Sequence, residues 1–284
     1  MIGQNNIRKL IDTQIANNDF PRFSIIVGDK GSGKKELVNY IHSSFEDSIL
    51  YSAETKVEDV RKVVSDAYKI SGTPVIYTFL DADRMSVSAK NALLKVAEEP
   101  PHNAYIIMTL TNLENTLETL KSRASVYHME PYSKHELMEY CMLKEYTDVK
   151  ILEVCNNPGE IDQLMTICSG DVDCFFAYIT LILDNLAEVT LGNSLKSVSK
   201  VALKETDTDK YDLKMFWNGV ISIIMKRINR EGKIDVDELR QWGNIVTFTK
   251  ECISTLNKVP SINKSALLDL WIIKFRQEIL EGEH

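Results

Sequence analysis

The sequence predicts an α/β domain, a parallel sheet with flanking helices, followed by a chain that is helical to its end. Three observations predict this. Short apolar runs rich in β-branched and aromatic residues alternate with helix-period segments between residues 23 and 129. A glycine-rich loop joins the first of those runs to the helix after it. Beyond residue 133 only helical periods remain.

The chain has 284 residues, room for two or three domains, and its 44% apolar content is ordinary for a globular protein. No apolar run reaches the length of a membrane span. The polar start Met1-Ile2-Gly3-Gln4-Asn5-Asn6 lacks the apolar core of a signal peptide, so a cytoplasmic location is expected. The net charge is −8, whereas a protein that grips DNA alone through its phosphates is usually basic. Autonomous DNA binding is therefore not expected, while contact inside an assembly stays open. The five cysteines (Cys141, Cys155, Cys168, Cys174, Cys252) are scattered and form no C-x-x-C pair. They are expected to be buried, reduced thiols, with neither a disulfide framework nor a zinc site.

Taken in order, Ile7, Leu10, Ile11 and Ile15 fall on one side of a first helix. Phe23-Ser24-Ile25-Ile26-Val27 is a buried strand. It runs into Gly28-Asp29-Lys30-Gly31-Ser32-Gly33-Lys34-Lys35 and then a helix carrying Leu37, Val38, Tyr40 and Ile41. Strand, G-x-x-x-x-G-K and helix are the context of a P-loop. Its glycines let backbone N–H groups turn around phosphate, the helix N-terminus adds its dipole, and Lys34 would reach the β and γ phosphates. The next position should carry a Ser or Thr hydroxyl for magnesium. Lys35 stands there instead and would repel the cation. Phosphate-binding geometry is retained and magnesium-ATP catalysis is compromised; a glycine turn without a ligand is the other reading.

Ser48-Ile49-Leu50-Tyr51 is a short strand, and Val57, Val60, Val63 and Val64 mark a helix. After the turn Ser71-Gly72-Thr73-Pro74, the strand Val75-Ile76-Tyr77-Thr78-Phe79-Leu80 ends in Asp81-Ala82-Asp83. Ligands of open α/β sheets sit beyond the carboxyl ends of strands, where these carboxylates fall. Read locally, Asp81 takes the metal side and Ala82 stands where a catalytic Glu is needed. A helix over 86–97 follows, with Ala89, Leu93, Leu94 and Val96 apolar, and Pro100-Pro101 stops it. Ala104-Tyr105-Ile106-Ile107-Met108-Thr109 and Val126-Tyr127-His128-Met129 are the remaining strands. Ser133-Lys134-His135-Glu136 is a capping box. His128 and His135 are expected to be structural or solvent-facing. Two later helices keep a 3.6-residue period, through Leu213, Phe216, Trp217, Val220 and Ile224, and through Leu268, Trp271, Ile272, Phe275 and Ile279. The polar run at 204–210 reads as a surface loop.

Asn91-Ala92-Leu93-Leu94-Lys95-Val96-Ala97-Glu98-Glu99-Pro100-Pro101, after an acidic strand end, resembles the second nucleotide motif of DNA polymerase clamp loader subunits. These are AAA+ ATPases and include the bacterial gamma/tau and delta-prime subunits. The resemblance covers residues 1–165 by motif and the rest by layout. It implies an α/β AAA+ P-loop domain over 1–132, a small helical lid domain over 133–188, and an all-helical, collar-like C-terminal domain over 189–284. Counted back from Asn91 as in the family, Leu80 takes the metal Asp position and Asp81 the Glu position. In either register one acidic role is missing, which implies impaired hydrolysis. Thr111, with Thr109 behind it, falls at the sensor-1 position.

Thr119-Leu120-Lys121-Ser122-Arg123-Ala124 resembles the family's T-I-x-S-R-C segment, with Ala124 in place of the cysteine. Its arginine implies that Arg123 is an arginine finger, catalytic in trans on the γ-phosphate held by a neighbouring subunit. Asn156-Asn157-Pro158-Gly159-Glu160-Ile161 resembles the sensor-2 element G-s-P-G-R-A, with Glu160 where a basic residue would touch phosphate. The Gly3-Gln4 start is similar to an element that packs over adenine. The zinc module that family members commonly carry between the two nucleotide motifs is missing, since 35–75 contains no cysteine.

The resemblance therefore implies Gly28, Gly31, Ser32, Gly33, Lys34, Lys35, Asp81 and, weakly, Thr111 as a degenerate nucleotide site. No cofactor is required, no zinc is expected, and a vestigial ATP, ADP or phosphate at the loop is possible. Implied partners are gamma/tau and delta subunits, with the sliding clamp and primed DNA met through the complex, and no membrane. The implied role is that of a largely non-catalytic, delta-prime-like subunit. The alternatives are a working gamma/tau-like motor and an AAA+-derived scaffold outside clamp loading.

Overall fold

The structure is a computed structural model and describes residues 1–69, 72–188, 213–230, 235–259 and 262–281. The expected loop at 204–210 and the start of the expected C-terminal domain at 189 lie outside these residues. The chain groups into two compact units, residues 1–139 with 157–159, and residues 140–156 with 160–284.

The first unit carries helix α1 (Asn5–Ala16), strand β1 (Phe23–Val27), α2 (Lys34–Ser44), β2 (Ile49–Ala53), α3 (Val57–Ala67) and β3 (Val75–Phe79). It continues with α4 (Val87–Ala92), α5 (Leu94–Glu98), β4 (Ala104–Leu110), α6 (Glu118–Lys121) and β5 (Ser125–His128), and takes in the start of α7 (Lys134–Leu143). The strands form one sheet in the order β2-β3-β4-β1-β5. Every pairing is parallel; Phe23 stands opposite Ile106, Phe79 opposite Met108 and Val27 opposite His128. The expected parallel α/β architecture is the one observed.

Strand alternation sends side chains to both faces, and both are covered. Ile25, Phe79, Ile106 and Met108 meet Val60 and Val63 of α3, Ala89 of α4, Leu93 between α4 and α5, and Val96 of α5. Ile26, Ile76 and Ile107 meet Ile7 and Ile11 of α1 and Leu37, Val38 and Ile41 of α2. Each fully buried aliphatic side chain here contributes about 1.5–3 kcal/mol relative to exposure. Leu10 departs from its expected place in the core and is half exposed, because α1 turns only Ile7 and Ile11 fully inward.

The single helix expected over 86–97 is two short ones. Ser86 caps the first by accepting from the Ala89 N–H, and at Leu93 the chain tightens to an N–H bond three residues back, to Lys90 O. This step keeps Ala89, Leu93 and Val96 all at 0% exposure. The capping box is present: the Ser133 N–H donates to Glu136 Oε2 at 2.7 Å and the Glu136 N–H to Ser133 Oγ at 3.2 Å. Gln4, in a left-handed conformation, donates from Nε2 to Glu130 O and accepts from the Glu130 N–H, both at 2.7 Å.

The second unit contains most of α8 (Pro158–Ile167), then α9 (Asp173–Glu188), α10 (Leu213–Arg230), α11 (Val236–Lys258) and α12 (Lys264–Glu281). Leu213, Phe216, Trp217, Val220, Ile224, Leu268, Trp271, Ile272 and Phe275 are buried as their period requires, and Ile279 is half-buried. Phe216 meets Trp271 edge to face at 5.8 Å, and the Trp271 Nε1–H donates to Thr249 Oγ1 at 2.9 Å. Four cysteines are buried; Cys174 is exposed, contrary to expectation, because it lies on the outer side of the first turn of α9. Among the described residues no helix is long and apolar enough to cross a membrane.

Candidate functional site

Because the sheet is parallel, the ends of β1, β3, β4 and β5 open on one edge, where Gly28, Asp81, Thr111 and Met129 follow their strands. The Gly28 N–H donates to Leu110 O at 3.1 Å and the Met129 N–H to Val27 O at 2.7 Å, so the loop starts locked between its neighbours.

The loop is closed by its own chain. Lys34 is 8% exposed and its Nζ donates to Gly28 O at 2.6 Å and Asp29 O at 2.9 Å. Burial holds the Lys34 pKa below the usual lysine value, against the pull of Asp81, Asp83 and Asp29 nearby. The Tyr132 hydroxyl donates to Ser32 O at 3.0 Å, and the Gly159 N–H donates to Gly31 O at 3.1 Å. Gly31 has φ +82°, and a Cβ there would lie 2.5 Å from Asn157 Oδ1 and 2.8 Å from Gly159 Cα, so only glycine fits. Met129 packs its side chain against Gly28, and Gly33 takes φ +89° at the start of α2. Ser32 Oγ is buried without a hydrogen-bond partner among the described residues. Lys35 is exposed. It brings a second cation to the place where a magnesium ion would need a hydroxyl.

Asp81, just past the strand, takes the left-handed conformation (φ 52°), is exposed, and donates its N–H to Thr109 Oγ1 at 3.0 Å. The carboxylate that is engaged is Asp83, which sequence reasoning left without a role. It accepts from the Thr111 N–H at 2.8 and 3.1 Å, from Thr111 Oγ1 at 2.9 Å and from Asn115 Nδ2 at 2.8 Å. Thr111, the sensor-1 candidate, thus spends its hydroxyl on Asp83, and Thr109 is buried behind it. The repeated acidic spacing at 81 and 83 was the available signal; its partners sit 28 and 32 residues away.

Arg123 lies elsewhere, after α6. Its Nη1 donates to Thr119 O at 2.8 Å and Ser122 Oγ at 3.4 Å, and its Nη2 pairs with Glu98 Oε1 at 2.9 Å. Its side chain is 35% exposed. Among the described residues it makes no hydrogen bond or ion pair with the glycine loop. Glu160 serves its own unit: it accepts from the Asn156 N–H at 2.7 Å and pairs with Lys214 at 3.7 Å.

Residues 42–133 match the family model described as DNA polymerase III, delta subunit. This stretch holds the acidic strand end, the Asn91–Pro101 run and Arg123, and begins after the glycine loop. DNA polymerase III subunit gamma of Buchnera aphidicola (from Acyrthosiphon pisum) is 26% identical over 102 residues, 34% of this chain and 28% of that one. DNA polymerase III subunit delta' of Haemophilus influenzae is 29% identical over 89 residues, 31% of this chain and 27% of its own length. The Escherichia coli delta' subunit is 31% identical over 75 residues, 26% and 22% of the two chains. The similarity thus spans about a quarter of the length of these relatives. A solved DNA polymerase III gamma subunit-related protein from Thermotoga maritima aligns over 97% of this chain and 99% of its own, at 17% identity and TM-score 0.44. RuvB from the same organism, a Holliday junction branch migration motor, aligns over 70% and 82%, at 14% identity and TM-score 0.47. Over residues 42–133, which hold the signature run at 91–101, the chain is similar to the delta, delta' and gamma subunits of DNA polymerase III.

Proposed function

We propose that this chain is a largely non-catalytic, delta-prime-like subunit of the DNA polymerase III clamp loader, and that Arg123 completes the ATP site of a neighbouring motor subunit. The observation that carries this reading is the surface position of Arg123, within the matched stretch, opposed to a glycine loop whose polar groups are turned onto one another. A guanidinium entering a dry interface offers planar, permanently charged donors to the γ-phosphoryl group as charge moves onto it. Fingers of this kind raise rates by about 10³–10⁵.

This chain's own edge does not suit a magnesium–nucleotide. Lys35 repels the metal, and Asp83 is committed to Thr111 and Asn115. A nucleotide or phosphate at the loop would first have to draw Lys34 off Gly28 and Asp29. In this reading the partners are the gamma/tau and delta subunits, and the sliding clamp and primed DNA are met through the assembly. The test is ATP turnover by that assembly with Arg123→Ala in this chain. Lost turnover with the complex intact supports the reading, and unchanged turnover sinks it.

A motor role has two observations in its favour. The G-x-x-x-x-G-K run is complete, with Lys34 in the field of Asp81 and Asp83, and gamma subunits are as similar as delta' ones. Magnesium-dependent phosphate release by the purified chain, abolished by Lys34→Ala, would establish that role.

A further inference from the structure

We propose that Glu98 is the positioning residue of Arg123, a role that rests on the finger reading above. An exposed arginine has many rotamers, and a finger acts only if its guanidinium is held where the phosphoryl group will arrive. Among the described residues three groups hold Arg123, and two of them, Thr119 and Ser122, belong to its own turn of chain. Glu98 is the tether from another element, the last residue of α5.

That tether has a firm base. The Tyr68 hydroxyl, just past α3, lies 3.0 Å from Glu99 O and 3.2 Å from Lys95 O, so its one proton is shared between carbonyls at the end of α5. Lys95 Nζ sits 5.0 Å from the Tyr68 ring centroid. Pro100-Pro101 then prevents the helix from continuing. The backbone under Glu98 is thus fixed on both sides, while its side chain is 52% exposed and reaches outward to Arg123. The acidic residue of the signature run and the arginine of the later segment form one unit, 25 residues apart in sequence. An arginine has five N–H donors, so the contact with Glu98 orients the fork while leaving donors for an incoming phosphate.

The test uses the assembled complex of this chain with its ATPase partner subunits. It compares wild type, Glu98→Ala, Glu98→Gln, Arg123→Ala and the Glu98→Ala/Arg123→Ala double variant. Glu98→Ala should lower kcat for ATP about tenfold with KM unchanged, since a displaced guanidinium costs rate rather than substrate binding. Glu98→Gln should stay within about twofold of wild type, because its amide oxygen still accepts from Nη2. The double variant should equal Arg123→Ala alone, as expected of groups acting as one. Glu98 is on the surface, so these variants should keep the melting temperature and elution position of the complex. A wild-type rate for Glu98→Ala beside a slow Arg123→Ala overturns the positioning role and leaves the finger standing. A rate above wild type, or a change confined to KM, also overturns it. A wild-type rate for Arg123→Ala removes the finger itself.

Discussion

The glycine loop and the Arg123 corner use the same chemistry in opposite ways. At the loop, an ammonium, a tyrosine hydroxyl and a glycine N–H are all spent on the loop's own carbonyls. At the corner, a guanidinium is steadied by an exposed pair of the kind that contributes only about 0–1 kcal/mol to stability. Polar groups satisfied inside a fold are committed to it. Those held loosely at the surface remain available to another molecule.

This contrast can be broken most sharply at Arg123. Arg123→Ala should cost the assembled ATPase on the order of 10³-fold in kcat, while chemical unfolding of the isolated chain is unchanged. A reversed pattern, with stability lost and turnover intact, would make the corner structural. Next in size is Gly31→Ala, which forces a side chain into a left-handed residue 2.5 Å from Asn157 Oδ1. It should destabilise the chain by about 3 kcal/mol in urea titration. A loss below about 1 kcal/mol would mean that the loop is not clamped by residues 157–159. Asp83→Ala removes the charged acceptor shared by the exposed Thr111 N–H and hydroxyl and the half-buried Asn115 amide, and should cost roughly 1 kcal/mol. Partial proteolysis near 111–115 would show whether that strand end has loosened.

The smallest effect concerns Lys34 and pH. Burial lowers its folded pKa, so between that value and the ordinary 10.5 the unfolded chain binds more protons. The stability of wild type relative to Lys34→Met should therefore rise as pH climbs through the folded pKa toward 10.5. A falling difference would mean that the ammonium is better placed in the folded loop than in water.

What could be read from the sequence was what repeats locally. Short apolar runs rich in β-branched and aromatic residues placed the strands, period 3.6 placed Leu213 to Ile224 in a core, and Ser133 with Glu136 announced a helix start. A periodic pattern assigns a residue to a face but not to a partner. Asp83 went without a role because Thr111 is 28 residues away on another strand end. The Glu98–Arg123 pair was hidden for the same reason, although both residues stood in recognised segments. Leu10 had the right spacing, yet curvature and a neighbour's size decide which turns of a helix reach the core, and neither is written in the period. Residues 157–159 fold back onto Gly31, a contact that no local signal near either segment announces.

The paired amide bonds between Gln4 and Glu130 tie the start of the chain to the exit from the sheet, 126 residues later. Mechanically they make the first domain a hoop rather than an open string. Tension applied at residue 131 is shared between edge strand β5 and helix α1, so the edge strand cannot be peeled away alone. Gln4→Ala should open that hoop and lower the force at which the sheet yields in single-molecule pulling, with little change in the core beneath it.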